Sequence, residues 1–176
     1  MLNYNFYMKK RILAIDPSWN GFAFVYYDPF KDYWACDAYN IVTKKTKDST
    51  SVIKTIGYVS KLLMSIIEEY PNVSQAELVV IESQFHTKMQ NLQYITATYL
   101  HALLGDDITL KFVSALTVKR HFEIPYKGFT HHQNKINAIN FVKNSEDKLR
   151  GTHIDHDDDD NICDALLLLN YCLDKK

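Results

Sequence analysis

Two apolar segments that each run into a single carboxylate constrain this chain more than any other feature. Residues 11–16 (RILAID) lead into the turn-forming sequence PSWNG, and residues 78–82 (LVVIE) lead into SQF. Continuous apolar runs of this length are typical of buried strands. A carboxylate at the end of such a strand is costly to bury alone. Asp16 is therefore expected either to cap the turn with its side chain or to meet a cation. The second strand of the same kind, which ends in Glu82, favours the cation.

The remaining hydrophobic periodicity predicts an α/β fold. Short turns join the first three strands, at residues 11–16, 21–28 and 33–42, which favours an antiparallel meander. Strands and helices alternate in the rest of the chain, with strands at 78–81 and 108–113 and helices at 51–70, 89–104, 117–122, 130–142 and 161–173. This order implies a mixed five-stranded sheet flanked by helices.

Length and composition favour one cytoplasmic domain. The 176 residues suit a single core, and a hydrophobic share of 47% argues against disorder. No apolar run approaches the ~20 residues that cross a bilayer, so we expect no membrane partner. Three widely spaced cysteines and the lack of a secretory signal fit a reducing cytoplasm. We expect residues 8–176 to form the domain, with residues 1–7 as a dispensable extension, because Met8-Lys-Lys resembles a second start.

Acidic residues are concentrated in one segment. Residues 153–164 contain six aspartates and neither lysine nor arginine, and without these six the net charge of −1 becomes +5. A mildly basic body with a local acidic spot suits a polyanion-binding protein that carries a cation site. It equally suits an ordinary protein with an acidic loop, so charge alone does not decide the function.

The last predicted helix begins inside this acidic segment. Acidic side chains are favourable beside the free amides of a helix N-terminus. This preference accounts for some of the acids at 157–160. Asp164 lies one turn further along, between Cys163 and Ala165 on an apolar stripe. A carboxylate in such a place needs a partner. Asp160, four residues earlier, and Asn161, three residues earlier, share its helix face.

The strand-end acids and the helix acids are expected to meet at one edge of the sheet. Several carboxylates that close together repel one another unless cations hold them, and hard divalent ions prefer oxygen ligands. Two such ions activate water and stabilise the leaving oxygen in phosphodiester hydrolysis. His131 and His132 are adjacent rather than spaced as zinc ligands, which favours solvent or phosphate contacts for them.

Three motifs surround these acids in chain order: AIDPS at Asp16, VVIESQF at Glu82 and NICDALLLL at Asp164. Together they resemble the RuvC group of Holliday junction resolvases, in the RNase H-like (retroviral integrase) superfamily, over about residues 9–173. The resemblance implies an RNase H-like fold and a structure-selective endodeoxyribonuclease that resolves four-way junctions and other branched DNA. It also implies two Mg²⁺ ions, replaceable by Mn²⁺, and nicks with 5′-phosphates. A homodimer would match the two-fold symmetry of the junction, and the small size is similar to that of phage members.

The resemblance further assigns the metal ligands. Asp16, Glu82 and Asp164 match three of the family's four acidic ligands. The family often places the fourth acid three residues before the last one, where this chain has Asn161. We therefore expect Asp160 as the fourth ligand, with Asn161 and Asp157 as the alternatives.

The resemblance also suggests DNA contacts. Lys119 matches a catalytic lysine that contacts the backbone phosphate, and Phe85 matches an aromatic wedge that unstacks bases at the junction. A core position under the following helix is the alternative for Phe85. Further phosphate contacts are expected from the basic region that follows, at Lys127, His131, His132 and Lys135. The predicted helices at 51–70 and 89–104 are candidates for the dimer face.

Three other functions stay open from the sequence. An RNase H-like nuclease for RNA–DNA hybrids would carry the same acids. A non-catalytic binder of branched DNA is favoured by Asn161, because an amide weakens the metal site. A regulatory protein with a solvated acidic loop would have no affinity for DNA.

Overall fold

A mixed five-stranded sheet forms the centre of the molecule in the computed structural model, which describes residues 10–41, 52–154 and 159–175. The strands are β1 (Ile12–Asp16), β2 (Phe22–Asp28), β3 (Tyr33–Tyr39), β4 (Leu78–Ser83) and β5 (Thr109–Ser114), in the spatial order β3-β2-β1-β4-β5. The first three strands pair antiparallel, whereas β4 and β5 are parallel to β1. The predicted fold class is confirmed.

Five α-helices cover the sheet: α1 (Val52–Glu69), α2 (Thr87–Leu104), α3 (Ala115–His121), α4 (His131–Lys143) and α5 (Asp160–Asp174). Each corresponds to a predicted helix with ends shifted by one or two residues. Pro71 ends α1, as expected, but residues Pro71–Gln75 also form a short 3-10 helix that the periodicity did not indicate. None of the helices in the described ranges combines the length and apolar character that crossing a bilayer requires.

Strand alternation divides the core into two layers. In β1, Ile12 and Ala14 pack towards α4 and α5, whereas Leu13 and Ile15 pack towards α1 and α2. Both sides of β1 are covered, so all five of its residues are buried, in agreement with its continuous apolar run. The alternation continues to the end of the strand, so Asp16 lies on the α5 side of the sheet.

Local polar contacts end and begin these elements where the sequence suggested. In the β2–β3 hairpin, the amide of Phe30 donates to the Asp28 carboxylate at 2.9 Å, an Asx-type turn. Thr130 caps α4 in a capping box with Gln133. The expected extension at residues 1–7 and Asp157 lie outside the described residues.

The backbone of Gly151 lies close to the ring of Trp34, and this contact provides a test of the packing. Gly151 has φ +78°, and a Cβ built there would lie 2.5 Å from Cζ3 of Trp34. We expect Gly151→Ala to lower the free energy of unfolding by about 1–3 kcal/mol, through overpacking and a strained φ. Urea denaturation measures this. Gly57→Ala is the matched control, because it adds a methyl to α1 with no atom within 4 Å and should stabilise by ~0.5–1 kcal/mol. Equal stability of Gly151→Ala and wild type would contradict the packing.

Candidate metal centre

Parallel pairing brings two strand-end carboxylates together. β1 and β4 run parallel with Ile15 opposite Ile81, so the next residues, Asp16 and Glu82, leave neighbouring strands at the same edge. Ala14 and Val80, two residues earlier, both pack on the α5 side. Because side chains alternate along a strand, Asp16 and Glu82 face that side as well.

The third carboxylate comes from α5, which packs across β1 and β2. Its buried neighbours Cys163 and Ala165 hold the helix against the core and leave Asp164 facing the sheet edge. One carboxylate oxygen from each of Asp16, Glu82 and Asp164 lies within 4.8 Å of the other two. The three acids that the sequence predicted to converge are therefore neighbours in the fold.

Close spacing and burial shift the protonation of this cluster. Burial raises the pKa of Asp16 well above its ordinary value, and the carboxylates of Glu82 and Asp164 raise it further. Burial and the charge of Asp164 likewise raise the pKa of Glu82 to about 8. At neutral pH the cluster must therefore hold protons or a cation. Three carboxylates with no histidine or cysteine ligand are a donor set suited to hard divalent cations such as Mg²⁺.

Two lysines lie beside the carboxylates. The positive charge of Lys119, on α3, lowers the pKa of Glu82, and that of Lys135, on α4, lowers the pKa of Asp16. Lys135 also forms an ion pair with Asp160 in the first turn of α5. These two of the predicted phosphate contacts thus lie at the edge of the acidic cluster, where a bound phosphate would meet their positive charges.

Asp160, the expected fourth ligand, does not belong to the three-carboxylate group in the described residues. Asp160 is next to the group, because its charge adds to the raised pKa of Asp16. Asp159, not Asp160, caps α5 by accepting from the amides of Asn161 and Ile162. Capping therefore makes no demand on the Asp160 carboxylate.

Asn161 packs against the turn that follows β1. Its side-chain amide donates to Asp159 at 3.2 Å. A Cβ built on Gly21 would lie 2.3 Å from Nδ2 of Asn161, so only glycine admits this side chain so close to the turn. Through this contact Asn161 fixes the start of α5 relative to the end of β1.

A pair of glutamines orients Glu82, and sequence reasoning missed it. The side-chain amide of Gln84 donates to Oε1 of Glu82 at 3.1 Å, and the Gln84 backbone amide donates to the side chain of Gln93 at 2.7 Å. Gln93 is buried on α2. One signal was available in the sequence, because Gln93 interrupts the apolar face of α2 next to Leu92 and a buried amide requires a partner.

The predicted DNA contacts are spread around this edge. Phe85 follows β4 and is 75% exposed, which excludes the alternative of a core position. Lys127 is exposed in the segment between α3 and α4, and His132 is exposed in the first turn of α4. For His131 the structure describes the helical backbone alone.

Similarity to known proteins is detectable at the level of structure. No family model matches the chain, and none of the curated proteins is significantly similar in sequence. The fold is similar to that of solved Holliday junction resolvases. A fowlpox virus resolvase in complex with Holliday junction DNA aligns with a TM-score of 0.56 and 12% identity, covering 93% of this chain and 97% of that one.

Two further resolvases align with similar scores. Thermus thermophilus RuvC gives a TM-score of 0.53 and 11% identity over 91% of both chains. The yeast mitochondrial Holliday junction resolvase Ydc2 gives a TM-score of 0.53 and 12% identity, covering 92% of this chain and 77% of that one. The resemblance in fold expected from the motifs is confirmed.

The raised pKa of Glu82 predicts a pH-dependent stability in chelator. The folded metal-free protein retains the Glu82 proton to about pH 8, whereas the ordinary pKa is 4.5. Between these values the folded state binds more protons than the unfolded state, so this group lowers stability as pH rises. In EDTA, the Tm of Glu82→Gln minus the Tm of the wild type should therefore become more positive from pH 5 to pH 8.

Thermal melts at both pH values test this. Glu68→Gln, an exposed position on α1, is the control and should leave the Tm difference constant. A Glu82→Gln variant whose Tm relative to wild type falls over the same range would contradict the electrostatics of the cluster.

Proposed function

We propose that this chain is a Mg²⁺-dependent endonuclease that resolves four-way DNA junctions and cleaves other branched DNA. The observation that carries the proposal is the convergence of Asp16, Glu82 and Asp164 within 4.8 Å at one sheet edge. This cluster occurs in a fold whose structural neighbours include a resolvase bound to Holliday junction DNA. We expect the protein to act in the cytoplasm, in the manner of small phage resolvases, with residues 8–176 as one nuclease domain.

The carboxylates would hold the cations that the reaction needs. Two bound Mg²⁺ ions would supply an activated water and stabilise the leaving 3′ oxygen, which yields a 5′-phosphate nick. Mn²⁺ has the same preference for oxygen ligands and should substitute. Asp16, the buried member of the three, would hold the cations together with Glu82 and Asp164. Gln84 orients Glu82 by hydrogen bonding to one of its oxygens.

Lysine side chains beside the cluster would bind the scissile phosphate. Lys119 is close enough to Glu82 for its charge to lower the Glu82 pKa, and it is half-buried. An ammonium in this place stabilises the extra negative charge that develops on phosphorus oxygens during attack. Lys135 is paired with Asp160 and would contribute when Asp160 turns towards a cation.

A two-fold dimer would match the symmetry of the junction. Each active site would cut one of two symmetry-related strands, and the exposed Phe85 ring beside each Glu82 would insert at the branch point. The exposed faces of α1 and α2 include Met64 and Tyr94. They remain our candidates for the dimer contact.

A non-catalytic junction-binding protein is the second candidate function. It is favoured by Asn161, an amide where the related family often has an acid, and by the ion pair that occupies Asp160. An RNase H-like nuclease for RNA–DNA hybrids would use the same carboxylates. Cleavage of labelled four-way junction, fork, duplex and hybrid with Mg²⁺ or EDTA separates these functions.

The first prediction of the proposed function concerns Asp16. Asp16→Asn should abolish Mg²⁺-dependent nicking of a synthetic four-way junction while junction binding in EDTA persists, because the amide keeps the shape but loses the metal-binding charge. Gel assays of nicking and band shift measure both. Asp37→Asn, on β3 away from the cluster, is the control and should cut at the wild-type rate. Nicking by Asp16→Asn at the wild-type rate would disprove the carboxylate–metal mechanism.

A second prediction identifies the fourth ligand. A carboxylate attracts a divalent cation far more strongly than an amide oxygen, so we expect Asp160 rather than Asn161 to complete the site. Asp160→Asn should sharply raise the Mg²⁺ concentration for half-maximal cleavage or abolish activity, whereas Asn161→Asp should change it little. If Asp160→Asn leaves this Mg²⁺ concentration unchanged and Asn161→Asp lowers it, the fourth ligand is residue 161 and not Asp160.

Phe85 generates the third prediction. Its ring is 75% exposed, so Phe85→Ala should reduce junction opening and cleavage with little change in Tm, well short of the ~3–5 kcal/mol cost of truncating a buried phenylalanine. Opening is measured with a fluorescent base analogue at the branch point. Phe30→Ala, an exposed ring at the opposite end of the sheet, is the matched control. Equal cleavage rates for Phe85→Ala and Phe30→Ala would contradict a role for Phe85 in contacting the junction.

A further inference from the structure

A groove lies beside the metal centre, between α3 and the start of α4. It encloses about 460 Å³, within the range of pockets that hold small ligands. Apart from Lys119, its lining comes from the segment that joins the two helices and from the end of α3: Arg120, Glu123, Ile124, Pro125, Tyr126, Lys127 and Phe129. We call it the α3–α4 groove.

Three contacts hold the α3–α4 groove in shape. The Ile124 side chain is 2% exposed and packs in the core beneath it. The carbonyl of Pro125 accepts from the side-chain amide of Asn137 on α4 at 3.0 Å. Nε of Arg120 donates to the Tyr126 hydroxyl at 2.9 Å, which ties α3 to the rim. The groove is thus a built surface and not a chance depression in a loose loop.

The charge and chemistry of the lining suit a polyanion. Lys119, Arg120 and Lys127 oppose the single acid Glu123, so the groove carries a net positive charge. The bond to Tyr126 uses one of the five N–H donors of the Arg120 guanidinium. The guanidinium fork and the Lys127 ammonium are suited to phosphate oxygens, which each of them binds readily.

The exposed ring of Phe129 indicates which class of polyanion the groove suits, namely an unpaired nucleotide. Phe129 is 45% exposed and lines the groove. A base within a duplex has both faces covered by its neighbours, so an aromatic ring stacks on a base only where it is unstacked. Paired DNA would use the lysines and arginine but would leave the ring in water. A ring with flanking cations is the combination by which proteins hold single strands.

Lys119 connects the groove to the acidic cluster, since it lines the groove and its charge acts on Glu82. We propose that the α3–α4 groove binds an unpaired DNA nucleotide next to the scissile phosphate, with Phe129 stacking on its base and Arg120 and Lys127 binding its flanking phosphates. The position relative to the scissile phosphate rests on the proposed function, whereas binding of a single strand does not.

The test measures binding of the full chain to a short fluorescein-labelled oligodeoxythymidylate in EDTA, by fluorescence anisotropy, and cleavage of a four-way junction in Mg²⁺. Phe129→Leu keeps the apolar volume but lacks the π face. It should weaken oligonucleotide binding about five-fold or more, the equivalent of ~1 kcal/mol of lost stacking at 1.36 kcal/mol per tenfold. Phe129→Tyr should retain wild-type binding.

Two further variants complete the design. Phe112→Leu removes an exposed ring on β5, outside the α3–α4 groove, and should bind as wild type. Lys127→Gln should reduce the slope of log affinity against log salt by about one, as expected for one phosphate contact. Wild-type affinity in Phe129→Leu, an equal loss in Phe112→Leu, or no binding of the oligonucleotide by the wild-type chain would each overturn the proposal.

The outcomes separate this proposal from the proposed function. A wild-type chain that cuts the junction, with a Phe129→Leu variant that binds and cuts equally well, would refute the α3–α4 groove alone. A wild-type chain that does not cut, with oligonucleotide binding that depends on Phe129, would refute the nuclease function alone. Tighter binding of oligouridylate than of oligodeoxythymidylate would overturn DNA as the occupant.

Discussion

Repulsion among three carboxylates is the constraint on which the rest of this structure depends. Asp16, Glu82 and Asp164 are held within 4.8 Å of one another, and burial adds to the cost of their charges. A fold tolerates such an arrangement when protons or cations neutralise it, and the surrounding scaffold must be stable enough to impose it. Here the scaffold is the buried β1–β4 pair, whose parallel register leaves no freedom in the relative position of the first two acids.

Residues around the three carboxylates help to hold them in place or to balance their charge. Asp159 caps α5, which holds Asp164 in place and leaves the Asp160 carboxylate beside the site. Asn161 against Gly21 joins the start of α5 to the turn after β1. Lysines at the edge supply positive charge from α3 and α4. Among the described elements, α3 and α4 therefore contribute lysine charges beside the cluster, and α5 contributes its third carboxylate.

Sequence reasoning could reach the sheet and the three acids because these follow from local patterns. Continuous apolar runs mark strands covered on both sides, and a lone carboxylate at the end of each marks their shared edge. The sequence signals a partner for Gln93 but not which one, because the relative position of α2 and the residues at the end of β4 is set by packing. The fourth ligand stayed open for a different reason: one residue turns a helix by about 100°, so Asp160 and Asn161 cannot be separated by spacing. The α3–α4 groove depends on the path of a loop that anchors Ile124 in the core.

The measurement that tests the central claim most directly is anomalous diffraction from crystals of the wild-type chain soaked in Mn²⁺. Mn²⁺ shares the oxygen preference of Mg²⁺ and scatters anomalously, so its position is seen without assumptions about activity. The account predicts anomalous density enclosed by the carboxylates of Asp16, Glu82 and Asp164, and its loss in Asp16→Asn crystals. Mn²⁺ bound elsewhere on the chain, with none among these three carboxylates at a concentration that supports cleavage, would contradict it.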